Sequence, residues 1–107
     1  MKISVRTSEN AQIFDVEGEI SFDETQEMET FVFTKISAKH RKVIMNFKNV
    51  PYLNSSSLGS LVRILQGLKN QNVSLFLMNI NKDIDNLFGI TGMNRYFTFI
   101  TDESQAV

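Results

Sequence analysis

The chain reads as an α/β protein: a mixed, mainly parallel sheet opened by an antiparallel hairpin, with helices packed against it. Three observations lead there. Val43–Phe47 and Val73–Met78 are short, nearly continuous apolar runs, the composition of strands covered on both faces. Between them Leu58, Leu61, Val62, Leu65 and Leu68 recur at helical spacing. Ahead of them, residues 2–20 alternate with a period of two on either side of a polar turn.

Taken in order, Lys2 to Thr7 is a strand with Ile3 and Val5 on one face, and Ser8-Glu-Asn10 is a turn. The next strand sets Phe14, Val16, Gly18 and Ile20 against Asp15, Glu17 and Glu19, which completes the hairpin. Ser21-Phe-Asp-Glu24 fits a capping box, with Ser21 as N-cap and Glu24 reaching back. The helix it opens carries Met28, Phe31, Val32 and Ile36 and fades near His40. Val43–Phe47 is then a central strand, the serine-led segment a helix broken at Gln71-Asn72, and Val73–Met78 a second buried strand. Lys82 to Phe88 is a short helix with Ile84, Leu87 and Phe88 inward and Asp83 and Asp85 in its first turn, ended by Gly89-Ile-Thr-Gly92. Tyr96 to Ile100 is a last strand, followed by a polar tail. The order is β-β-α-β-α-β-α-β, and its strand–helix–strand units predict right-handed crossovers between parallel neighbours.

At 107 residues the expectation is one domain spanning 1–107, with nine Phe and a 42% apolar fraction to fill its core. The net charge of −1, with both signs interspersed, gives no basic patch for nucleic acid. No apolar run is long enough to insert in a membrane, and the charged, alternating start is not a signal peptide. With no cysteine, disulfides and thiolate chemistry are excluded. Asn54-Ser-Ser and Asn72-Val-Ser match the glycosylation pattern by chance, and a cytoplasmic address is expected.

Enzyme chemistry has little support. The one histidine, His40, lies in Lys39-His-Arg-Lys42 at a helix end, where it complements the dipole. The serines are not in a Gly-x-Ser-x-Gly elbow, and there is no Gly-rich phosphate loop or metal-spaced cluster. The chain is read as a non-enzyme with no cofactor. The run Asn54-Ser-Ser-Ser-Leu-Gly59 carries the most information. It has two readings: a helix cap and nothing more, or an exposed point where hydroxyls and free backbone N–H groups tolerate an anion or a phosphorylated serine. Three hydroxyls exceed what one cap requires. In addition Ser56, Gly59, Ser60, Arg63 and Gly67 form a small, polar outer stripe on the helix, a face that another protein could approach closely. Gly59 within a helix costs about 1 kcal/mol relative to Ala, which calls for a packing or contact reason.

The Val43–Phe47 strand, the Asn54–Gly59 turn, the Leu-rich helix and Leu87-Phe-Gly-Ile-Thr-Gly-Met93 with Phe97 resemble the STAS domain across nearly the whole chain. So does Val16-Glu-Gly-Glu-Ile20 before the first helix. This is the fold of bacterial anti-sigma factor antagonists and of the cytosolic end of sulfate transporters. The antagonists carry Asp-Ser-Ser-Gly-Leu-Gly, and their second serine is phosphorylated by an anti-sigma factor that is itself a serine kinase. A serine phosphatase resets them. The resemblance implies Ser56 as phosphoacceptor after Ser55, with Leu58 and Gly59 matching directly. The motif's aspartate is Asn54 and its glycine Ser57, the aspartate at the head of the first helix aligns with Ser21, and the one ending the central strand with Asn46. Several carboxylates of the family's acidic rim are thereby missing.

The implied function is a phosphorylation-controlled switch that sequesters the anti-sigma factor kinase. Its contact face is Ser21, Asn54, Ser55, Ser57, Leu58, Gly59, Ser60 and Arg63. The alternative is an unphosphorylated STAS subunit of a signalling scaffold or membrane transporter. Nucleotide binding, which the family also implies, has no phosphate loop behind it.

Overall fold

The structure, a computed structural model, describes residues 1–106. The elements are β1 (Lys2–Thr7), β2 (Gln12–Glu17), α1 (Phe22–Lys35), β3 (Lys42–Asn49), α2 (Ser55–Asn70), β4 (Ser74–Met78), α3 (Lys82–Thr91) and β5 (Thr98–Ile100), with 3-10 turns at Met93–Arg95 and Glu103–Gln105. The five strands lie in chain order; β1 and β2 are antiparallel and every later pair is parallel. The mixed sheet with its leading hairpin is therefore present as the patterning predicts.

Parallel strands that follow one another across a sheet, each joined by a crossover of one hand, leave every helix on the same side. The packing shows that outcome. Met28 and Val32 of α1, Leu58, Leu61, Ile64 and Leu68 of α2, and Ile84 and Phe88 of α3 share one core with Phe14, Val16, Val43, Met45, Phe47, Leu75 and Leu77. The inward residue of α2's middle turn is Ile64, with Val62 and Leu65 only partly buried, one helical step from the predicted face.

The opposite face of the sheet is a row of Ile13, Ile44, Phe76, Met78 and Ile100. No helix covers it. The expected polar tail turns back over it instead. Ala106 is buried against that row, Lys42 Nζ donates to the Ala106 carbonyl at 2.9 Å, and Arg6 pairs with Glu103 at 3.2 Å. A central strand covered on both faces is thus correct for β3, but one cover is a single turn of chain.

Several boundaries differ from the sequence reading; β3, for one, runs on to Asn49. α1 stops at Lys35, so His40 lies five residues past the helix and the dipole role falls to Lys35. His40 sits instead in a turn closed by its N–H to the Ser37 carbonyl, with Nδ1 buried and unpartnered. α3 runs to Thr91 and ends where Gly92 takes a left-handed conformation, φ 73°, which glycine adopts without a Cβ penalty. β5 begins at Thr98, two residues late.

The α1–α2 seam accounts for one of α2's two glycines and not the other. A Cβ at Gly67 would collide with the Phe33 ring on α1, whereas at Gly59 the nearest atom is Arg63 Nη1 at 3.6 Å, an ordinary contact. Gly59→Ala is therefore expected to gain about 0.5–1 kcal/mol from helix propensity. Gly67→Ala is expected to fall at least about 1 kcal/mol below it, because the Phe33 ring must move. Urea unfolding of the two variants checks this. Equal stabilities would mean that the seam is looser than described.

Candidate functional site

The site is built at the C-terminal edge of the parallel strands, where connections of α/β sheets place their binding groups. After β3 the chain dips back into the core at Val50 and Leu53 and exposes Tyr52 between them. Two asparagines pin this loop. Asn81, the N-cap of α3, accepts from Ile84 N at 2.9 Å through Oδ1 and donates Nδ2 to the carbonyls of Pro51 at 2.7 Å and Val50 at 3.3 Å. Asn54 does the same for α2. Its Oδ1 accepts from Ser57 N at 2.8 Å and Ser57 Oγ at 3.0 Å, and its Nδ2 donates to the Ile20 carbonyl at 3.3 Å. Ile20 lies just before Ser21, the N-cap of α1, so the starts of α1 and α2 are held side by side.

The Ser21 capping box forms as predicted. Glu24 N donates to Ser21 Oγ at 3.3 Å, and Ser21 N donates to Glu24 Oε1 at 2.9 Å. That backbone donor, helped by the Met1 amine 2.9 Å from Oε2, pulls the Glu24 pKa down to about 2.

The serines divide into two pairs. Ser57 is buried and spent on the Asn54 cap. Ser60 is buried too, donating to the Thr25 carbonyl at 3.1 Å and to Glu29 Oε2 at 3.0 Å. Ser55 is exposed and Ser56 half-buried, and neither the hydroxyls nor the backbone N–H groups of this pair have an acceptor among the described residues. No acid stands in the first turn of α2, so its positive end is unneutralised there.

Between the N-terminal halves of α1 and α2 runs an open groove of about 560 Å³. Ser55, Ser56, Gly59 and Arg63 form one wall; Phe22, Asp23, Gln26 and Glu29 form the other. Arg63 crosses it as a fork onto Glu29, Nε to Oε1 and Nη2 to Oε2, both 2.9 Å. Arg63 holds the Glu29 carboxyl below its ordinary range; partial burial opposes the shift and Ser60 assists it.

Four expectations need correction. Ser60 is not on an outer stripe: it faces α1, because α2 lies against both the sheet and a neighbouring helix and so has two covered sides. Gly67 faces Phe33 on the same seam. Leu58 and Ser57 point into the protein and offer a partner no surface. Asn46 does not end β3, and it is no part of this site. It pairs with Asp15 across the other sheet face, donating to Asp15 Oδ1 at 2.8 Å in a row that includes Arg6 and Asn79. The acidic groups beside Ser56 come from α1 instead, as Asp23 and Glu29. Sequence reasoning also missed Phe22, 74% exposed at the groove. Its signal was an aromatic directly after an N-cap, outside the apolar stripe of α1. His40 precedes β3, roughly 25 Å of strand away from the serines at about 3.3 Å per residue, so it is no base for them.

Residues 2–106 match the STAS domain family, and the chain belongs to it. An anti-sigma-B factor antagonist of Staphylococcus aureus is 26% identical over 95 residues, covering 87% of this chain and 88% of that protein. Among solved structures, an anti-sigma factor antagonist from Mycobacterium paratuberculosis superposes with a TM-score of 0.83 at 15% identity, covering 98% of this chain and 89% of that one. The Bacillus cell fate determinant SpoIIAA in its phosphorylated form gives 0.71 at 16%, covering 96% and 95%.

Two outcomes follow from the geometry. An aspartate caps as well as asparagine but cannot donate to a carbonyl. Asn54→Asp should therefore cost about 0.5–1 kcal/mol at pH 7, the lost bond outweighing the dipole gain. Asn81→Asp, with two carbonyls left facing a carboxylate, should cost more. A rise in stability of either variant in urea unfolding would contradict this account of the loop.

Acid should act through Glu24 and Glu29. Folded pKa values below the ordinary 4.5 mean that their stabilisation is complete above that value. It is lost as pH falls, for Glu24 through about 2. Melting temperature should stay flat from pH 7 to 5 and then drop. Glu29→Gln should show a shallower drop than the parent; an unchanged acid limb would remove Glu29 from this role.

Proposed function

We propose that this STAS-family chain is an anti-sigma factor antagonist, a non-enzymatic switch whose binding to an anti-sigma factor serine kinase is controlled by phosphate on Ser56. The names of the staphylococcal relative and of the Mycobacterium paratuberculosis structure support the antagonist reading, and the phosphorylated form of the Bacillus protein supports control by phosphate. One observation narrows the acceptor to Ser55 or Ser56, and the resemblance to the antagonist motif selects Ser56 of the two. Of the serines on this helix, those at 57 and 60 are consumed by the fold, while Ser55 and Ser56 present uncommitted hydroxyls in a groove rimmed by Phe22 and Arg63.

The physics of the two states differs in kind. A phosphate adds about −1.5 to −2 charge at neutral pH. At the first turn of α2, where no acid stands, the helix dipole favours that charge by roughly 0.3–1 kcal/mol. The fold keeps its contacts because the Ser56 hydroxyl makes none. A partner closing over the groove must strip water from the dianion, at a cost of several kcal/mol unless the charge is paired. The surface that a partner meets is Ser21, Ser55, Ser56, Gly59 and Arg63, with Phe22 and Tyr52 as apolar anchors beside half-buried Asn54. A serine phosphatase would return the chain to its binding state.

Mass spectrometry of the chain isolated from its native cell should find phosphate on Ser56 and none in Ser56→Ala. The alanine variant should hold the kinase constitutively. Ser56→Asp should bind it at least tenfold more weakly, about 1.4 kcal/mol, yet melt within a few degrees of the parent. An unphosphorylated chain whose Ser56→Asp variant binds normally would replace the switch with a scaffold or transporter-subunit role.

A further inference from the structure

The charge inventory of the groove is unbalanced. From α1 it receives Asp23 and Glu29, and from α2 it receives Arg63 alone. A dianion on Ser56 would enter a cleft already holding two carboxylates and one cation. The arginine's posture is informative. Its Nε and Nη2 are occupied by Glu29, while Nη1 has no acceptor among the described residues. That free nitrogen lies 3.6 Å from where a Gly59 Cβ would stand, so the guanidinium is folded back along α2 toward its N-terminus. Ser56 is one turn further on, at i−3 from Gly59, along the same wall of the groove. Gly59 puts no side chain between positions 56 and 63 on this face of the helix. This gives Gly59 a role that packing does not, since nothing else lies within 4 Å of its missing Cβ.

We propose that Arg63 is the built-in counter-ion for a phosphate on Ser56, taking it through Nη1 over Gly59 while Nε and Nη2 remain on Glu29. The arrangement is a relay in which one guanidinium is shared between carboxylate and phosphate. A guanidinium suits this: five N–H donors in a fixed fork serve two anions at once, which a lysine ammonium does not do with the same geometry. The modified groove then carries its charge in an ordered pair and leaves the α1–α2 seam intact. Phosphate transfer itself is left to the kinase and its nucleotide; Arg63 only receives the product. The inference rests on Ser56 as the acceptor position, and its test is independent of whether a cell phosphorylates that residue.

Phosphoserine is placed at position 56 of the full chain by suppression of a stop codon, and its second ionisation is followed by phosphorus NMR against pH. A neighbouring cation favours the dianion, so the parent should titrate below an exposed phosphoserine, near 6. Arg63→Ala should raise that midpoint by about half a unit or more, the size expected of an exposed ion pair. Lys69→Ala removes the same charge at the far end of α2 and should leave the midpoint in place. Gly59→Val, which fills the path between the two groups, should raise it as Arg63→Ala does while leaving the fork on Glu29. Circular dichroism of each variant confirms the fold before titration. Equal midpoints in Arg63→Ala and Lys69→Ala, or an unmoved Gly59→Val, would overturn the proposal. Failure to find Ser56 phosphate in cells would overturn the switch function and not this pairing.

Discussion

Two asparagine carboxamides hold the working edge of this protein together. An N-cap needs an oxygen that accepts from the helix's first turn, and Asn54 and Asn81 both supply it. Each then turns its amide nitrogen to a neighbouring carbonyl: Asn54 to Ile20 ahead of α1, Asn81 to Val50 and Pro51 ahead of α2. The three helix starts are thereby linked in a chain, α1 to α2 to α3, by groups that are acceptor and donor at once. Hydroxyls and carboxylates cap helices, but a carboxylate has no proton to give. An aspartate at 54 would cap α2 but would leave the Ile20 carbonyl without this donor. In this chain the residue is a bracket between elements as well as a cap.

The groove depends on that bracket and on the seam below it. With the helix starts fixed, Ser60 can reach both Thr25 and Glu29, and Glu29 can be forked by Arg63. Lower down, Gly67 lets Phe33 lie against α2. The polar contacts of the seam thus sit at its open upper end and the apolar ones below. An exposed ion pair contributes little by itself, about 0–1 kcal/mol. Its value here is positional: Glu29 orients the guanidinium, and a buried hydroxyl orients Glu29.

Much of this was legible in the chain, and the rest was hidden for physical reasons. Strand runs, the capping box at Ser21 and the start of α2 at Ser55 follow from local chemistry, and local chemistry decided them. The stripe on α2 failed because periodicity locates one buried face, while a helix set between a sheet and another helix has two. Nothing in the residue types distinguished Ser60, facing α1, from Ser56, facing the groove. Asn46 lies mid-strand because β3 runs on to Asn49, and strand alternation puts its side chain, like that of Ile44, on the face away from the helices. The tail reads only as polar because a single buried alanine, Ala106, gives no period to detect. The donor half of Asn54 and Asn81 is a tertiary property that no local pattern encodes.

The division of labour among the serines bears on how a covalent switch coexists with a small fold. A chain of 107 residues folds with about 5–15 kcal/mol of net stability, and a dianion forced on a hydroxyl that already caps or bridges would take a large share of it. Ser57 and Ser60 carry such duties, and phosphate on either would have to displace the Asn54 cap or the Glu29 contact from a buried position. Ser56 carries none among the described residues, lies at the positive end of α2 and lines the same groove as Arg63. A modification there alters the electrostatic surface that a partner meets while leaving every bond of the fold in place. On the proposed function, the information is written where the structure has the least to lose, and it is read where a partner has the most to desolvate.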